Sequence, residues 1–181
     1  MVASWLRQHQ EPLHDVYSRA VVKGRGKQII QNLKSIVTDI ENVQILTENN
    51  RVVLSLVFPD YGIPIWLAGD GIVSLFRLCV DLAALPDGVV LMEEPETHLH
   101  PGAVWQSAQV IWAAVRDGVQ IILSTHSLEF VDALIAKSKD EDELQKMSVY
   151  RTQLKNGNLE TRCLPGPDVQ FKRSEIGDDL R

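Results

Sequence analysis

Apolar positions recur at helical spacing through most of the first forty residues, with a break at Lys23, Gly24, Arg25 and Gly26. Beyond it Ile29, Ile30, Leu33, Ile36 and Val37 share one face. The pattern then shortens to strand-like runs over residues 43–46 and 51–58. Asn49 and Asn50 lie between them, which predicts a hairpin. Pro59, Asp60, Tyr61 and Gly62 form a second turn, and 63–67 reads as a third short strand. Residues 71–84 are apolar nearly all round, with Ser74, Arg77 and Asp81 as a narrow polar stripe, so this helix must be covered on most sides. Residues 89–92 and 119–123 are continuous apolar runs of the kind found in buried parallel strands. Between them Pro101 stands where a first helical residue would, and Val104, Trp105, Ala108, Ile111, Trp112 and Val115 form one helix face. Trp105 and Trp112, seven apart on that face, read as core. Ser127 is placed to cap a third helix running to about Lys137. Residues 140–143 read as an acidic loop. Strands over 147–153 and 158–164 flank the turn pair Asn156 and Gly157, and a short helix finishes the chain.

Strand, helix, strand, helix, strand with apolar strands predicts an α/β domain built on a parallel sheet. The length of 181 residues suits a single domain, 1–181, with a core burying roughly 70% of the unfolded surface. A hydrophobic fraction of 45% and a charged fraction of 23% exclude global disorder. Cys79 and Cys163 stand far apart in no CxxC pattern, which leaves neither a disulfide framework nor a zinc ribbon. Arg7, His9 and Glu11 interrupt the first segment, so no signal peptide is expected. No run approaches the roughly 20 apolar residues of a membrane helix, so the expected location is cytoplasmic. The net charge of −6 is unevenly placed. Residues 61–130 hold Arg77 and Arg116 against eight carboxylates, whereas the flanking thirds are nearly balanced. No broad basic face for nucleic acid is evident, although Lys23, Arg25 and Lys27 form a local patch able to meet phosphates.

In parallel α/β sheets ligands bind beyond the carboxyl ends of the strands. There the chain places Glu93 and Glu94 after one strand, and Ser124, Thr125 and His126 after the other. Adjacent carboxylates are costly to bury unless a cation or donor compensates. One can hold Mg²⁺ while its neighbour accepts a proton from an attacking water. The plainer reading is a solvated turn whose acids favour the following helix dipole. Zinc or manganese held by His98, His100 and His126 with the glutamates is a further alternative.

Taken in order, these motifs resemble the C-terminal half of an ABC-type ATPase. They are Leu67, Ala68, Gly69, Asp70 and Gly71; then Glu93, Glu94, Pro95 and Glu96 after an apolar strand; then His98, Leu99, His100 and Pro101; then Ser124, Thr125, His126 and Ser127. The chain is most similar to the RecF, OLD and SMC-like group of AAA-family ATPases, over about residues 10–181. The resemblance implies a partial P-loop-NTPase-type fold: an ABC ATPase lobe with a parallel sheet, flanking helices and a β-hairpin near the N-terminal third. Residues 1–66 would be the helical and hairpin region and 67–181 the motif-bearing core. It implies that Gly69, Asp70 and Gly71 stand at the signature loop, which touches the γ-phosphate of ATP held by the opposite subunit. Glu93 stands at the Walker B metal position, Glu94 at the catalytic glutamate, His98 in the D-loop and His126 at the switch histidine. ATP and Mg²⁺ are the implied cofactors, and roles in DNA repair or phage defence follow by analogy. Two positions depart from the pattern: Glu93 stands where many ABC proteins have Asp, and Gly69 replaces the usual signature serine. Phosphate contact at Gly69 would therefore come from backbone N–H groups.

A phosphate-binding loop would read G-x-x-x-x-G-K-[ST] between a strand and a helix. The Gly26–Lys27 pair is followed by Gln28 and has Val21 where the first glycine belongs. The amides and lysine that cradle a triphosphate are thus expected from a P-loop-containing partner chain, and a homodimer is the other expected assembly. Alone, the chain would bind ATP weakly and hydrolyse it negligibly. The competing readings are an inert lobe used for dimerisation or regulation, and a metal-dependent hydrolase using Glu93, Glu94, Glu96, His98 and His126.

Overall fold

The computed structural model describes residues 11–85, 87–97 and 99–176, the side chains of Glu175 and Ile176 excepted. The chain divides into two units, Met1–Thr125 and His126–Arg181.

In the first unit, helices α1 (Leu13–Val22) and α2 (Gly26–Lys34) are separated by the expected break, where Gly24 takes a φ of 77°. Strands β1 (Asn42–Glu48) and β2 (Arg51–Val57) pair antiparallel, with Glu48 opposite Arg51. Asn49 and Asn50 both adopt positive φ, as a two-residue hairpin turn whose twist matches its strands requires. Strand β3 (Gly62–Pro64) is shorter than the run 63–67 suggested. Its ladder ends at Pro64, which has no N–H to donate, and Ile65–Leu67 winds into a 3-10 turn instead.

Helix α3 (Asp70–Ala84) is the hub of this unit. Phe76 and Val80 are fully buried, together with Ala20 of α1 and Ile29 and Leu33 of α2. Tyr17 packs its ring 5.5 Å from Phe76 and donates its hydroxyl to the Val43 carbonyl at 3.1 Å. Burial pushes the Cys79 thiol up to about 12, so it behaves as a small apolar core residue. The expected polar stripe is present: Arg77 Nε donates to Asp81 Oδ2 at 2.7 Å across one helical turn.

Strands β4 (Val89–Glu93) and β5 (Gln120–Ser124) pair in parallel, with helix α4 (Pro101–Arg116) between them in sequence. Their apolar runs predicted burial on both faces, and the structure corrects this. Val90 and Met92 are buried, whereas Val89, Leu91 and Ile122 are 41%, 39% and 55% exposed. Trp112 is buried but Trp105 is 37% exposed, so only one of the two tryptophans belongs to the core. The periodicity assigned the face of α4 correctly; it carries no information on how far along the helix that face is covered.

In the second unit, Ser127 caps α5 (Leu128–Lys137), its hydroxyl accepting from the Phe130 N–H at 3.1 Å. The stretch 140–143 is not a plain loop, because Glu141–Leu144 forms a helical turn, α6. The Asp140 side chain accepts from the Glu143 N–H at 2.8 Å, and the Glu143 carboxylate accepts from the Lys139 N–H at 2.8 Å. This arrangement is akin to a capping box, with the Glu143 carboxylate bonding the residue before the N-cap. Strands β6 (Ser148–Lys155) and β7 (Asn158–Pro165) form an antiparallel hairpin about Asn156 and Gly157, both at positive φ. Helix α7 (Gly166–Phe171) and a π-helical turn, Lys172–Ile176, follow. Val131, Ile135, Leu144, Leu164 and Val169 make up the core of this unit. Arg173 grips Asp132 bidentately, with both bonds at 2.7 Å. The fold is therefore mixed α/β, with one parallel pair and antiparallel hairpins. Among the described residues no helix is long and apolar enough to cross a membrane.

Candidate functional site

The parallel register sets Glu93, the last residue of β4, opposite Ser124, the last residue of β5. Both are exposed, so Glu93 projects at the carboxyl edge of the sheet without a desolvation cost. Glu94 then leaves the strand with a φ of 44°, a left-handed conformation costing a non-glycine residue about 1 kcal/mol. The neighbouring strand supports it, because the Glu94 N–H donates to the Ser124 carbonyl at 2.9 Å. The chain turns tightly from there. The Thr97 N–H donates to the Glu94 carbonyl at 3.0 Å, with Pro95 buried at the first corner. The Thr97 hydroxyl lies 3.4 Å from Glu94 Oε2. Glu96, two residues on, accepts from the Thr125 hydroxyl through Oε1, whereas its Oε2 is buried and has no hydrogen-bond partner among the described residues.

The remaining candidates lie on other elements. Gly69 precedes α3 with a φ of 88°, which glycine alone adopts freely, and a Cβ built there would meet nothing within 4 Å. Its backbone is thus open to approach. Asp70 and Gly71 are the first two residues of α3. His126 follows Thr125, is exposed and opens the second unit. His98 lies outside the described residues. His100 caps α4, its Nδ1 accepting from the Gly102 N–H at 3.2 Å with Pro101 as first helical residue.

The structure therefore gathers Glu93, Glu94, Glu96, Ser124 and Thr125 at one sheet edge. The Glu96–Thr125 contact was not foreseen; its signal was that two adjacent strands each end in a polar run. Among the described residues no group of three or more His, Cys, Asp or Glu side chains could hold a metal ion. An Mg²⁺ site needs no such cage, since the ion is commonly held by one or two carboxylates plus substrate phosphates and waters. The carboxylate oxygens at this edge, with no sulfur among them, fit that chemistry.

Residues 7–132 match the family described as "AAA domain, putative AbiEii toxin, Type IV TA system". The chain belongs to this family. It is 27% identical over 114 residues to the uncharacterized protein MJECL11 of Methanocaldococcus jannaschii, covering 62% of this chain and 98% of that protein. It is 35% identical over 97 residues to the OLD nuclease of Thermus scotoductus, but this is 49% of the chain and only 18% of the nuclease. In fold it is similar to a chain solved under "Structural biochemistry of ATP-driven dimerization and DNA stimulated activation of SMC ATPases". That match has a TM-score of 0.54 at 16% identity and covers 89% of this chain and 98% of the other. The Smc head domain of Pyrococcus furiosus, solved with an extended coiled coil and the C-terminal domain of ScpA, gives a TM-score of 0.53 at 14% identity. This chain covers 42% of that head. The AAA-domain chain thus has the fold of an SMC-type ATPase head, and spans less than half of that Smc head.

Proposed function

We propose that this chain is the C-terminal lobe of a split or truncated ABC-type ATPase, completed by a P-loop on another polypeptide. Residues 1–181 act in it as one lobe. The observation that carries this reading is the parallel pairing that brings Glu93 and Glu94 to the Ser124 end of β5. Glu94 is the general base, accepting the proton of the attacking water while the Thr97 hydroxyl orients its carboxylate. Glu93 would hold Mg²⁺, which when bound would supply positive charge against that of the phosphates. His126 donates to the γ-phosphate, and His98 serves as the D-loop residue. The backbone at Gly69, Asp70 and Gly71 opens α3 and meets the phosphate held by that subunit, because a helix N-terminus presents unpaired N–H groups to anions.

The acidic residues at this edge would repel a tetra-anionic ligand if they acted alone. The P-loop chain supplies the missing cation and amides. A second copy could present its signature glycines but would bring no further G-x-x-x-x-G-K-[ST] motif. Relatives described as a nuclease and as DNA-stimulated ATPases suggest that the assembly works on nucleic acid, in repair or phage defence.

The test mixes the purified chain with a P-loop protein encoded beside it and measures phosphate release. ATPase activity should appear in the mixture, and Glu94→Gln should lower kcat by about 10²- to 10⁴-fold with nucleotide still bound. Activity insensitive to Glu94, or robust hydrolysis by the isolated chain, would defeat the proposal. A stable complex without hydrolysis would favour an inert, regulatory lobe.

A further inference from the structure

The loop after β4 holds its most demanding backbone position, Glu94 at a φ of 44°, two residues from a half-buried side-chain contact that the proposed chemistry does not use. Left-handed geometry at a non-glycine residue persists where its surroundings over-determine it. Two backbone bonds help here, Glu94 N–H to the Ser124 carbonyl at 2.9 Å and Thr97 N–H to the Glu94 carbonyl at 3.0 Å. The second lies wholly within the turn, so it fixes the turn's shape but not its seat on the sheet. The Thr125 hydroxyl, donating to Glu96 Oε1 across 29 residues of sequence, ties the far side of the turn to the segment that follows β5.

We propose that Glu96 is a positioning residue for Glu94, clamping the turn to Thr125 so that the Glu94 carboxylate is held ready at the sheet edge. The inference rests on Glu94 being the general base. Glu96 Oε2 is buried with no hydrogen-bond partner among the described residues, so it is Oε1 that ties this carboxylate to Thr125.

The clamp is tested first on the purified chain, by hydrogen exchange at the Glu94 amide with the Ala108 amide of α4 as internal reference. Glu96→Ala and Thr125→Val should each speed exchange at Glu94 by about five- to tenfold, and their combination no further, because both remove one contact. Glu96→Gln and Thr125→Ser keep an acceptor and a hydroxyl and should stay near the parent rate. In the complex with the P-loop chain, Glu96→Ala should lower kcat by about tenfold or more with the KM for ATP nearly unmoved. It should cause no further loss in a Glu94→Gln background. Unchanged exchange at Glu94 in both Glu96→Ala and Thr125→Val overturns the clamp, as does an equal loss of kcat with and without Glu94. A complex without ATPase activity defeats the functional proposal alone, since the exchange measurement still decides the clamp.

Discussion

Asp81 sets burial against pairing within one side chain. It lies on the covered side of α3, and the Arg77 guanidinium beside it favours the charged form. Burial is the larger influence and raises its carboxyl above the usual range. The folded protein therefore holds this proton where the unfolded chain has already lost it. The associated stability is fully present below the ordinary carboxylate value and is lost as pH rises through the folded value. Asp81→Asn removes the titration. Urea midpoints measured from pH 3.5 to 7 should fall less steeply with rising pH in the variant than in the parent over the window that begins at the ordinary carboxylate value. Parallel profiles would show that pairing with Arg77 outweighs burial.

Helix α5 depends on a single cap. Ser127 takes an extended conformation and receives the Phe130 N–H, so Ser127→Ala leaves one more donor unpaired at the helix start. The variant should lose about 1 kcal/mol, read as a lower urea midpoint for the second unit, while Ser127→Asp should hold close to the parent. Features of this kind were legible in the chain because their causes are local. A cap, a proline at the first helical residue and an asparagine-rich hairpin turn each depend on a few neighbouring residues, and Ser127, Pro101 and the Asn49–Asn50 pair all appear as expected. The misread segments depended on something farther away or on a second local rule. The run 63–67 kept its apolar pattern, but Pro64 ended the ladder. The acidic stretch 140–143 hid a helical turn because Asp140 accepts from the Glu143 N–H and Glu143 from the Lys139 N–H, so these carboxylates bond backbone rather than only solvent. Glu93 and Glu94 were legible as a pair at a strand end. The Glu96–Thr125 contact needed the β4–β5 register to be known first.

Parallel strands are ordinarily covered on both faces, which is why they read as unbroken apolar runs rather than alternating ones. Here the runs are unbroken while the burial of β4 alternates. The Val90 and Met92 face is packed, and the face carrying Val89, Leu91 and Ile122 is open. The strands thus have the composition of a doubly covered sheet, while among the described residues one face stays exposed. If the P-loop polypeptide covers this face, charges introduced there should separate folding from assembly. Leu91→Lys with Ile122→Lys replaces two directly paired, exposed side chains. The urea midpoint of the isolated chain should move by no more than about 0.5 kcal/mol in stability, as for ordinary surface substitutions. Sedimentation velocity should show less self-association, because an exposed apolar patch has been interrupted. Binding to the P-loop chain should weaken by at least about tenfold, because two ammonium groups would have to be desolvated in an apolar interface. If the variant instead loses stability on its own, the chain already covers this face itself and the partner must dock elsewhere. If it folds and still assembles with undiminished affinity, the open face is not the seam between the two polypeptides.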